Sequence, residues 1–381
     1  MLSKPKRLSL WEYESLIGNI DVLIIGAGIV GLLTAHELKK AAPDKEILIL
    51  EANHVGGGAT TKNAGFGCIG SLGEIMADSE TYGQSATIEL VRQRVEGLQR
   101  LLSITGNDII GYSDSLGCEL FDTKQDFESC QTALTHWNNL LKDITGLDST
   151  FTIKTNHNFR NVYPRSIINN GEGLLHTGKL YKRLLSLISS SGVRLLNGVI
   201  VDSFEDLGDR VKVNSNAFST ALHTKQLIVC TNAFTKHILP EIDVTPCRNQ
   251  VIVTSPVDNS HIEHGYHMDR GYTYFRSIGS RVLIGGGRNH YDEEYNQMSY
   301  GENEDNIEFL SAKLRRDILP GQSFDIDYRW SGILTGGAER LPIVMKHSDN
   351  VIIGVRLGGM GVAIGSKIAL KTAQLATNLS L

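Results

Sequence analysis

The chain has 381 residues, of which 41% are apolar and 21% charged, and its formal net charge is −5. This composition is ordinary for a globular protein, and the length predicts two domains or one large domain with an insertion. The mildly acidic balance argues against a nucleic-acid partner, and the short cluster Lys4–Arg7 indicates a solvated tail. The apolar run Val22–Leu33 is too short and too rich in glycine to be an integral membrane segment.

Cysteine usage argues against two further classes of protein. The five cysteines, at positions 68, 118, 130, 230 and 247, are odd in number and show no CxxC spacing. Neither a disulfide framework nor a metal site is therefore expected, and we expect a reducing, cytoplasmic location.

A strand, a glycine turn and a helix follow the amino-terminal segment. The run Asp21–Ile25 is almost entirely apolar, as a buried parallel strand requires, and it leads into GAGIVG. In this GxGxxG spacing Gly26 allows the tight turn, Gly28 lets a pyrophosphate approach the helix N-terminus, and Gly31 permits close helix–strand packing. Helical periodicity over Leu32–Lys40 completes the unit.

An acidic residue ends the second strand of the same unit. The run Glu46–Leu50 is followed by Glu51, where an acid can accept hydrogen bonds from both hydroxyls of an adenosine ribose. An acid at this position disfavours a ribose phosphate, so NADP is not expected. The sequence therefore predicts a dinucleotide site formed by Gly26, Gly28, Ile29, Val30, Gly31, Glu51 and Ala52.

Residues 56–70, GGGATTKNAGFGCIG, contain six glycines in fifteen positions. Glycine lets another surface approach the backbone closely but costs conformational entropy, so this density predicts a close contact. A mobile surface loop would favour serine and charged residues over Ala64, Phe66 and Ile69.

The dinucleotide pattern then stops and returns later in the chain. Helices are predicted over Ser85–Ser103 and Gln125–Leu141, with strand-like sequence between them at Ile109–Phe121. The returning features are a helix within Leu174–Ser190, a strand-like run Val193–Val201, and the buried strands Gln226–Cys230 and Asn350–Val355. After the last strand, GGMG precedes an apolar helix, whose N-terminus suits an anionic ring.

Seven stretches recur in family order along nearly the whole chain: DVLIIGAGIVGLLTAHEL, ILILEANHVGGGATTKNAGF, GLLHTGKL, QLIVCTNAF, TYFRSIGSRVLIGGG, RWSGILTGGAERLPIV and VRLGGMGVAIG. They resemble the D-amino-acid oxidase superfamily of FAD-dependent oxidoreductases, which includes glycine oxidase, sarcosine oxidase and γ-glutamylputrescine oxidase. The resemblance implies an α/β (α+β) fold with a Rossmann-like FAD-binding domain from 1–78, 174–235 and 329–381. It also implies a substrate-binding domain on a large mixed, mainly antiparallel sheet, inferred at 79–173 and 236–328.

The resemblance further implies how FAD is bound. The glycine-rich segment would lie beside the flavin ring and the pyrophosphate, through Gly58, Ala59, Thr60, Thr61, Asn63, Ala64, Gly65 and Phe66. Val199, on the predicted strand, would offer adenine a backbone contact as well as packing in the core. Further contacts are expected from Thr231, Asn232, Gly332, Gly358, Gly359, Met360, Gly361 and Val362. Lys62 replaces a histidine that bonds FAD covalently in some relatives, and Arg329–Leu341 contains no cysteine, so noncovalent FAD is expected.

Electrons are expected to come from an organic substrate. The segment Gly285–Arg288 lacks GxGxxG spacing, so NADPH is not expected as a donor. Relatives of the glycine oxidase type clamp the substrate carboxylate with an arginine in a WAGLRP-type motif, and Leu334 stands at that position here. TGGAERLP and TYFR are closer to γ-glutamylputrescine oxidase, which favours an amine. Alternative carboxylate clamps are Arg276, Arg340 and Arg356.

Four side chains are expected at the reaction site. Tyr272 and Tyr274 alternate along a predicted strand and share one face, which is either a substrate wall or part of the core. Arg276 follows on the same strand. His176 precedes a predicted helix, where it either approaches the ring or has a structural role. No general base is predicted.

The resemblance implies an FAD-dependent oxidase or dehydrogenase that oxidises a C–N bond of a small amine or amino compound. Hydride would pass to the flavin, and the resulting imine would hydrolyse. A glycine, D-amino-acid or sarcosine type of enzyme, a flavin-binding subunit without its own turnover, and oxidation of a hydroxy acid stay open. So do the electron acceptor, oxygen or a quinone, and the oligomeric state.

Overall fold

The computed structural model describes residues 8–56, 58–155 and 159–377. The cluster Lys4–Arg7 and Gly57 of the glycine-rich segment lie outside the described residues. The chain divides into two compact units: the first runs to Thr61 and includes Gly178–Thr245 and the residues from Thr335 onward, and the second comprises Lys62–Thr177 and Pro246–Leu334. Residues 62–78, 174–177 and 329–334 thus lie in the second unit, whereas the sequence expectation placed them in the FAD domain, and residues 236–245 lie in the first unit rather than with the substrate domain. The functional assignment of the units stays a prediction.

In the described residues, the first unit is built on an eight-stranded mixed sheet. Its parallel strands, in spatial order, are Val351–Val355, Leu222–Val229, Ile20–Ile25, Ile47–Glu51 and Arg194–Asn197. Its antiparallel strands are Ile343–Lys346 at one edge, and Val211–Ser215 and Val201–Asp206, which form a meander with Leu222–Val229. The central strands are apolar because they are buried on both faces.

Helices cover this sheet. Those in the first unit or at its borders are Leu10–Glu12 with the π-helical turn Tyr13–Ile17, Ile29–Ala41, Ala59–Lys62, Thr177–Ser190, the 3₁₀ turn Asn232–His237, and Gly361–Thr377. The first and last long helices pack together: the hydroxyl of Thr34 donates to the carbonyl of Ala369 at 3.4 Å. The run Val193–Val201 is two strands rather than one, and Val199 lies between them.

The second unit contains another eight-stranded sheet over its described residues, mixed and mainly antiparallel. Its strands, in spatial order, are Ile326–Gly336, Thr245–Thr254, Arg281–Gly286, Thr273–Ile278, Gly265–Met268, Gly117–Glu119, Arg165–Asn169 and Phe151–Thr155. Among the strand pairs whose direction the structure describes, Gly265–Met268 and Gly117–Glu119 run parallel and the others run antiparallel. A separate ribbon joins Phe66–Gly67 to Gly173–Leu174.

Helices of the second unit form two apolar clusters with its sheet. The helical segments of this unit are Leu72–Tyr82, Gln84–Thr105, Asn107–Ile110, Lys124–Thr145, Glu304–Lys313 with the π-helical turn Leu314–Ile318, and the 3₁₀ turns Asp269–Gly271, Arg288–His290 and Asp292–Glu294. The two long helices predicted from the sequence are present. The strand-like prediction for Ile109–Phe121 was mostly wrong, because a helical turn ends there at Gly111, in the left-handed region at φ 61°, and only a short strand follows.

The predicted fold class is confirmed, since the chain combines helices with two large mixed sheets. All five cysteines are buried and none forms a disulfide. Within the described ranges, no helix is long and apolar enough to cross a membrane.

The packing at the glycine turn leaves no room for a side chain on Gly31, and this can be tested. A Cβ on Gly31 would collide with the carbonyl oxygen of Gly26, whereas a Cβ on Gly336 would meet only the carbonyl of Thr245 at 3.9 Å. We expect Gly31→Ala to lower the free energy of unfolding by about 3 kcal/mol, and the control Gly336→Ala to change it by less than about 0.5 kcal/mol. Urea unfolding measures both, and equal effects would contradict this packing.

Candidate functional site

The glycine turn after the strand Ile20–Ile25 leads into a helix whose N-cap residue has no side chain to bond the helix N-terminus. Gly26 has φ 101°, and a Cβ there would lie 2.7 Å from the carbonyl oxygen of Cys230. Gly28 is the N-cap and makes no side-chain cap bond, while the N–H of Ile29 donates to the hydroxyl of Thr60 at 2.8 Å. A Cβ on Gly28 would stand 3.3 Å from that hydroxyl. The turn is therefore a cradle that a side chain would fill, as a pyrophosphate site requires.

Glu51 is buried at the end of the second parallel strand. One carboxylate oxygen accepts the N–H of Ala27 at 2.8 Å, and the other accepts the backbone and side-chain N–H groups of Asn53 at 3.0 and 2.9 Å. The N–H of Val199 donates to the Glu51 carbonyl at 3.0 Å. Glu51 thus fixes the glycine turn and keeps acceptor capacity for further donors. Ala52 follows it and is exposed, whereas Val30 is buried.

Asn232 connects three segments of the first unit. It has φ 47°, in the left-handed region that asparagine tolerates. Its side-chain oxygen accepts from the hydroxyl of Thr335 at 3.1 Å and from the N–H groups of Arg356 and Leu357 at 3.2 and 3.4 Å. The hydroxyls of Thr231 and Thr235 are 2.9 Å apart beside it. Asn232 therefore positions the start of the carboxy-terminal glycine loop.

That loop leads into the last helix. Gly358 and Gly359 have φ 60° and 81°, conformations that side chains rarely adopt. The N–H of Met360 bonds to the carbonyl of Leu357 at 3.1 Å, and the helix Gly361–Thr377 begins next. Its first residues include the buried Val362, and its N-terminus carries a partial positive charge.

The glycine-rich segment is an ordered loop in the described residues. Ala59–Lys62 forms a helical turn in which the hydroxyl of Thr61 donates to the carbonyl of Gly58 at 3.3 Å. In the second unit, the side-chain oxygen of Asn63 accepts from the N–H of Gly65 at 2.8 Å and from the hydroxyl of Thr177 at 3.1 Å.

A tryptophan and a glycine on one strand contact the same loop. The indole N–H of Trp330 donates to the carbonyl of Lys62 at 3.0 Å. A Cβ on Gly332 would lie 3.3 Å from the Cβ of Lys62, so glycine permits the close approach. The Lys62 ammonium lies 4.9 Å from the ring centroid of Tyr300.

Arg276 binds the backbone of the loop. Its Nη1 donates to the carbonyls of Gly65 at 2.8 Å, Leu175 at 2.9 Å and Ala64 at 3.3 Å. Burial lowers the pKa of this guanidinium to about 10. The strand predicted to carry Arg276 is present, and the contacts of Nη1 are all to protein carbonyls. Contact between Arg276 and a substrate stays a prediction.

One face of the second sheet presents apolar and aromatic side chains. The cluster contains Ala64, Phe66, Val251, Val253, Tyr274, Leu283 and Trp330. The rings of Phe66 and Tyr274 meet edge to face, with centroids 5.7 Å apart. Burial raises the pKa of Tyr274, while the charge of Arg288 and a hydrogen bond with Asn249 oppose the rise.

The tyrosine pair does not alternate along one strand as expected. The strand begins at Thr273, and Tyr272 closes the preceding 3₁₀ turn with φ −70° and ψ −28°. A helical conformation at Tyr272 breaks the two-residue alternation that the prediction required. The ring of Tyr272 instead lies beneath the guanidinium of Arg288, with 4.6 Å between the ring centroid and the guanidinium carbon.

The other predicted side chains lie in different surroundings. His176 is exposed, and its N–H donates to the carbonyl of Ile110 at 3.0 Å. Arg356 is buried and pairs with Asp243, which engages its charge within the first unit. Arg340 is half-buried. Leu334 lies on the strand Ile326–Gly336, two residues beyond Gly332.

Sequence reasoning missed a buried ionic network beneath the loop. The Nε2 of His267 and a carboxylate oxygen of Glu172 are 3.0 Å apart, and Glu172 also accepts from the N–H groups of Ile69 and Gly70 at 2.9 and 3.0 Å. The rings of His267 and Phe66 are 5.2 Å apart. No motif signals this network, because its members are far apart in sequence.

A second buried acid, Glu119 on the strand Gly117–Glu119, bonds the first residues of the helix Leu72–Tyr82. The Glu119 carboxylate accepts from the hydroxyl of Ser71 at 2.9 Å and from the N–H of Gly73 at 3.0 Å. Burial raises the pKa of Glu119 above its ordinary value despite these bonds. Burial alone would lower the pKa of His267, but the charge and hydrogen bond of Glu172 outweigh it and raise that pKa. Over the described residues no cluster of potential ligands could bind a metal ion.

Comparison with known proteins agrees with this geometry. A family model described as FAD dependent oxidoreductase (DAO) matches residues 21–375, so the chain belongs to that family. The resemblance stated from the sequence is confirmed, and the protein is an FAD-dependent oxidoreductase. No curated protein sequence matches the chain.

Solved structures share the fold at low sequence identity. The chain is similar to glycine oxidase from Geobacillus kaustophilus, with a TM-score of 0.76, 16% identity and coverage of 95% of each chain. L-proline dehydrogenase from P. horikoshii gives a TM-score of 0.75 at 16% identity, covering 95% of this chain and 94% of the other. Iminodiacetate oxidase from Chelativorans sp. BNC1 gives a TM-score of 0.70 at 20% identity, covering 94% and 95%.

The raised pKa values predict how stability depends on pH. The ordinary pKa is 4.5 for Glu119 and 6.5 for His267, and each group has a higher pKa in the folded protein. At a pH between the ordinary and the folded pKa of either group, the native state therefore binds more protons than the unfolded state. The free energy of unfolding should therefore fall as pH rises through this range, with the contribution of His267 lost above its ordinary value.

Urea unfolding from about pH 5 to about pH 9 measures this slope. His267→Gln should flatten the part above the ordinary histidine pKa, whereas His136→Gln, which changes an exposed histidine, should leave the slope unchanged. An unaltered slope in His267→Gln would show that the His267–Glu172 pair does not carry the effect.

Proposed function

We propose that the protein oxidises a C–N bond of a small amine or amino compound, with FAD bound noncovalently. The observation that carries the proposal is the apolar, aromatic cluster on one face of the second sheet, which shares Ala64 and Phe66 with the glycine-rich loop. Such a face suits a flat ring and an uncharged reacting carbon, because apolar walls exclude water.

The residues of the first unit fit FAD in this proposal. The cradle at Gly28 and the helix that begins at Ile29 would take the pyrophosphate, and Glu51 would take the ribose hydroxyls. Gly358, Gly359 and the helix N-terminus at Gly361 would stabilise negative charge on the ring. Lys62 is not a residue that bonds flavin covalently in relatives, which supports noncovalent binding.

When bound, FAD supplies a two-electron acceptor for the hydride that leaves the substrate α-carbon. The protein's part is orientation and exclusion of water. Phe66, Tyr274 and Trp330 would form the substrate wall, and Tyr272 would lie at its margin. The substrate nitrogen loses a proton to solvent, and the resulting imine adds water and yields a carbonyl compound and an amine or ammonia.

We assign Arg276 and His176 less direct roles than the sequence suggested. Arg276 would position the loop through its three carbonyl contacts. His176 would have a structural role immediately before the helix Thr177–Ser190. Oxygen or a quinone would reoxidise the cofactor, and the five cysteines, none of them in a disulfide, support a reducing compartment.

A second candidate, a flavoenzyme for amino or imino acids, is favoured by one observation. The structural neighbours include a glycine oxidase and an L-proline dehydrogenase. Leu334 argues against the usual clamp for an α-carboxylate, so this second candidate requires another residue to hold a carboxylate on the reacting carbon. The two candidates differ in the substrates that reduce the flavin.

An anaerobic titration of the purified holoprotein with amines and amino acids tests the proposal. We expect amines without an α-carboxylate to bleach the visible band of oxidised flavin, and glycine, sarcosine and D-alanine to leave it unchanged. Bleaching by the amino acids alone would favour the second candidate. A flavin that none of these compounds reduces would contradict both and favour a subunit without turnover.

A further inference from the structure

Arg288 is a cation that lacks an acidic partner on the apolar face of the second sheet. In the residues that the structure describes, no carboxylate oxygen lies within 4.0 Å of its guanidinium, although other arginines of the unit, such as Arg248 and Arg281, pair with acids. Arg288 is half-buried, and its polar side-chain contact is a long bond of 3.4 Å from Nη1 to the Asn249 side-chain oxygen. A partly desolvated guanidinium with so few acceptors favours an added anion.

Two glycines place Arg288 beside the sheet. Gly286 and Gly287 end the hairpin strand with φ 112° and 73°, and Arg288 then opens a 3₁₀ turn. A Cβ on Gly287 would lie 2.5 Å from the side-chain oxygen of Asn306, so the turn depends on glycine. The guanidinium carbon lies over the ring of Tyr272, 4.6 Å from the ring centroid, which is within the range of a cation–π contact.

A continuous set of contacts joins Arg288 to the substrate wall. Nη1 of Arg288 contacts Asn249, whose amide nitrogen is 3.5 Å from the hydroxyl of Tyr274. The Tyr274 ring in turn meets the ring of Phe66 on the glycine-rich loop. An anion on Arg288 would therefore lie at the polar end of a wall whose other end is apolar.

We propose that Arg288, supported by Asn249 and Tyr272, binds a substrate carboxylate distal to the oxidised C–N bond and selects amines that carry one. The inference rests on the proposed function only in identifying the ligand as the amine that is oxidised. It differs from the clamps considered from sequence, because Arg276 binds carbonyls and Arg356 pairs with Asp243. The guanidinium fork matches the two oxygens of a carboxylate, which explains the choice of arginine over lysine.

Binding of an unreactive anion tests the inference independently of turnover. Isothermal titration of the holoprotein with propionate, and with its neutral counterpart propionamide, is compared for wild type, Arg288→Gln and Arg288→Lys. We expect Arg288→Gln to weaken propionate binding about 10- to 100-fold and to leave propionamide unchanged. Arg288→Lys should give an intermediate loss, because it keeps the charge but not the fork.

Arg315→Gln provides the matched control, since Arg315 also lies over an aromatic ring, Phe324 at 5.5 Å, but is exposed. It should leave propionate binding unchanged. If Arg288→Gln does not fold, Arg288→Lys with a wild-type melting temperature carries the test. Propionate affinity equal to wild type in the Arg288 variants, or no propionate binding by wild type, would overturn the inference.

Kinetics then separate this inference from the proposed function. With an amine that bears a distal carboxylate, Arg288→Gln should raise KM about 10- to 100-fold with little change in kcat, and an uncharged amine should show no such rise. Arg288-dependent propionate binding without flavin reduction by any amine would keep the anion site and refute C–N oxidation. Flavin reduction with Arg288-independent KM values would refute the anion site alone.

Discussion

The three hydrogen bonds from Nη1 of Arg276 to backbone carbonyls are the constraint on which the second unit's loop depends. Gly65 and Leu175 belong to segments that are far apart in sequence, and one guanidinium nitrogen binds a carbonyl of each. A buried cation is costly unless its donors find acceptors, so the strand that carries Arg276 and the loop must come together. Phe66 follows this anchored loop directly and reaches the apolar sheet face.

The same principle recurs in both units, where one polar side chain fixes several backbone groups. Asn232 accepts from three groups at the start of the carboxy-terminal glycine loop, and Glu51 fixes the first glycine turn. Glu172 does so beneath the glycine-rich loop. Loops rich in glycine lose much conformational entropy on folding, and such multiple bonds offset part of that cost. The backbone of these loops is thereby ordered without bulky side chains.

Much of the local fold around the first glycine turn could be predicted from nearby sequence. The strand at Asp21–Ile25, the glycine turn and Glu51 are close in the chain, and each has a distinct steric or hydrogen-bonding requirement. The pairs Arg276–Gly65, His267–Glu172 and Arg288–Asn249 could not be predicted, because they join residues that meet only after the sheet has formed. Tyr272 shows the same limit, since a 3₁₀ turn rather than a strand sets its direction.

Product analysis after anaerobic reduction of the holoprotein by an acyclic amine tests directly whether a C–N bond is oxidised. We expect a carbonyl compound and a released amine or ammonia each to appear in an amount equal to that of the FAD reduced. Reduction by an acyclic amine without release of an amine or ammonia would contradict oxidation of a C–N bond, and would indicate that the family's chemistry is applied here to another bond.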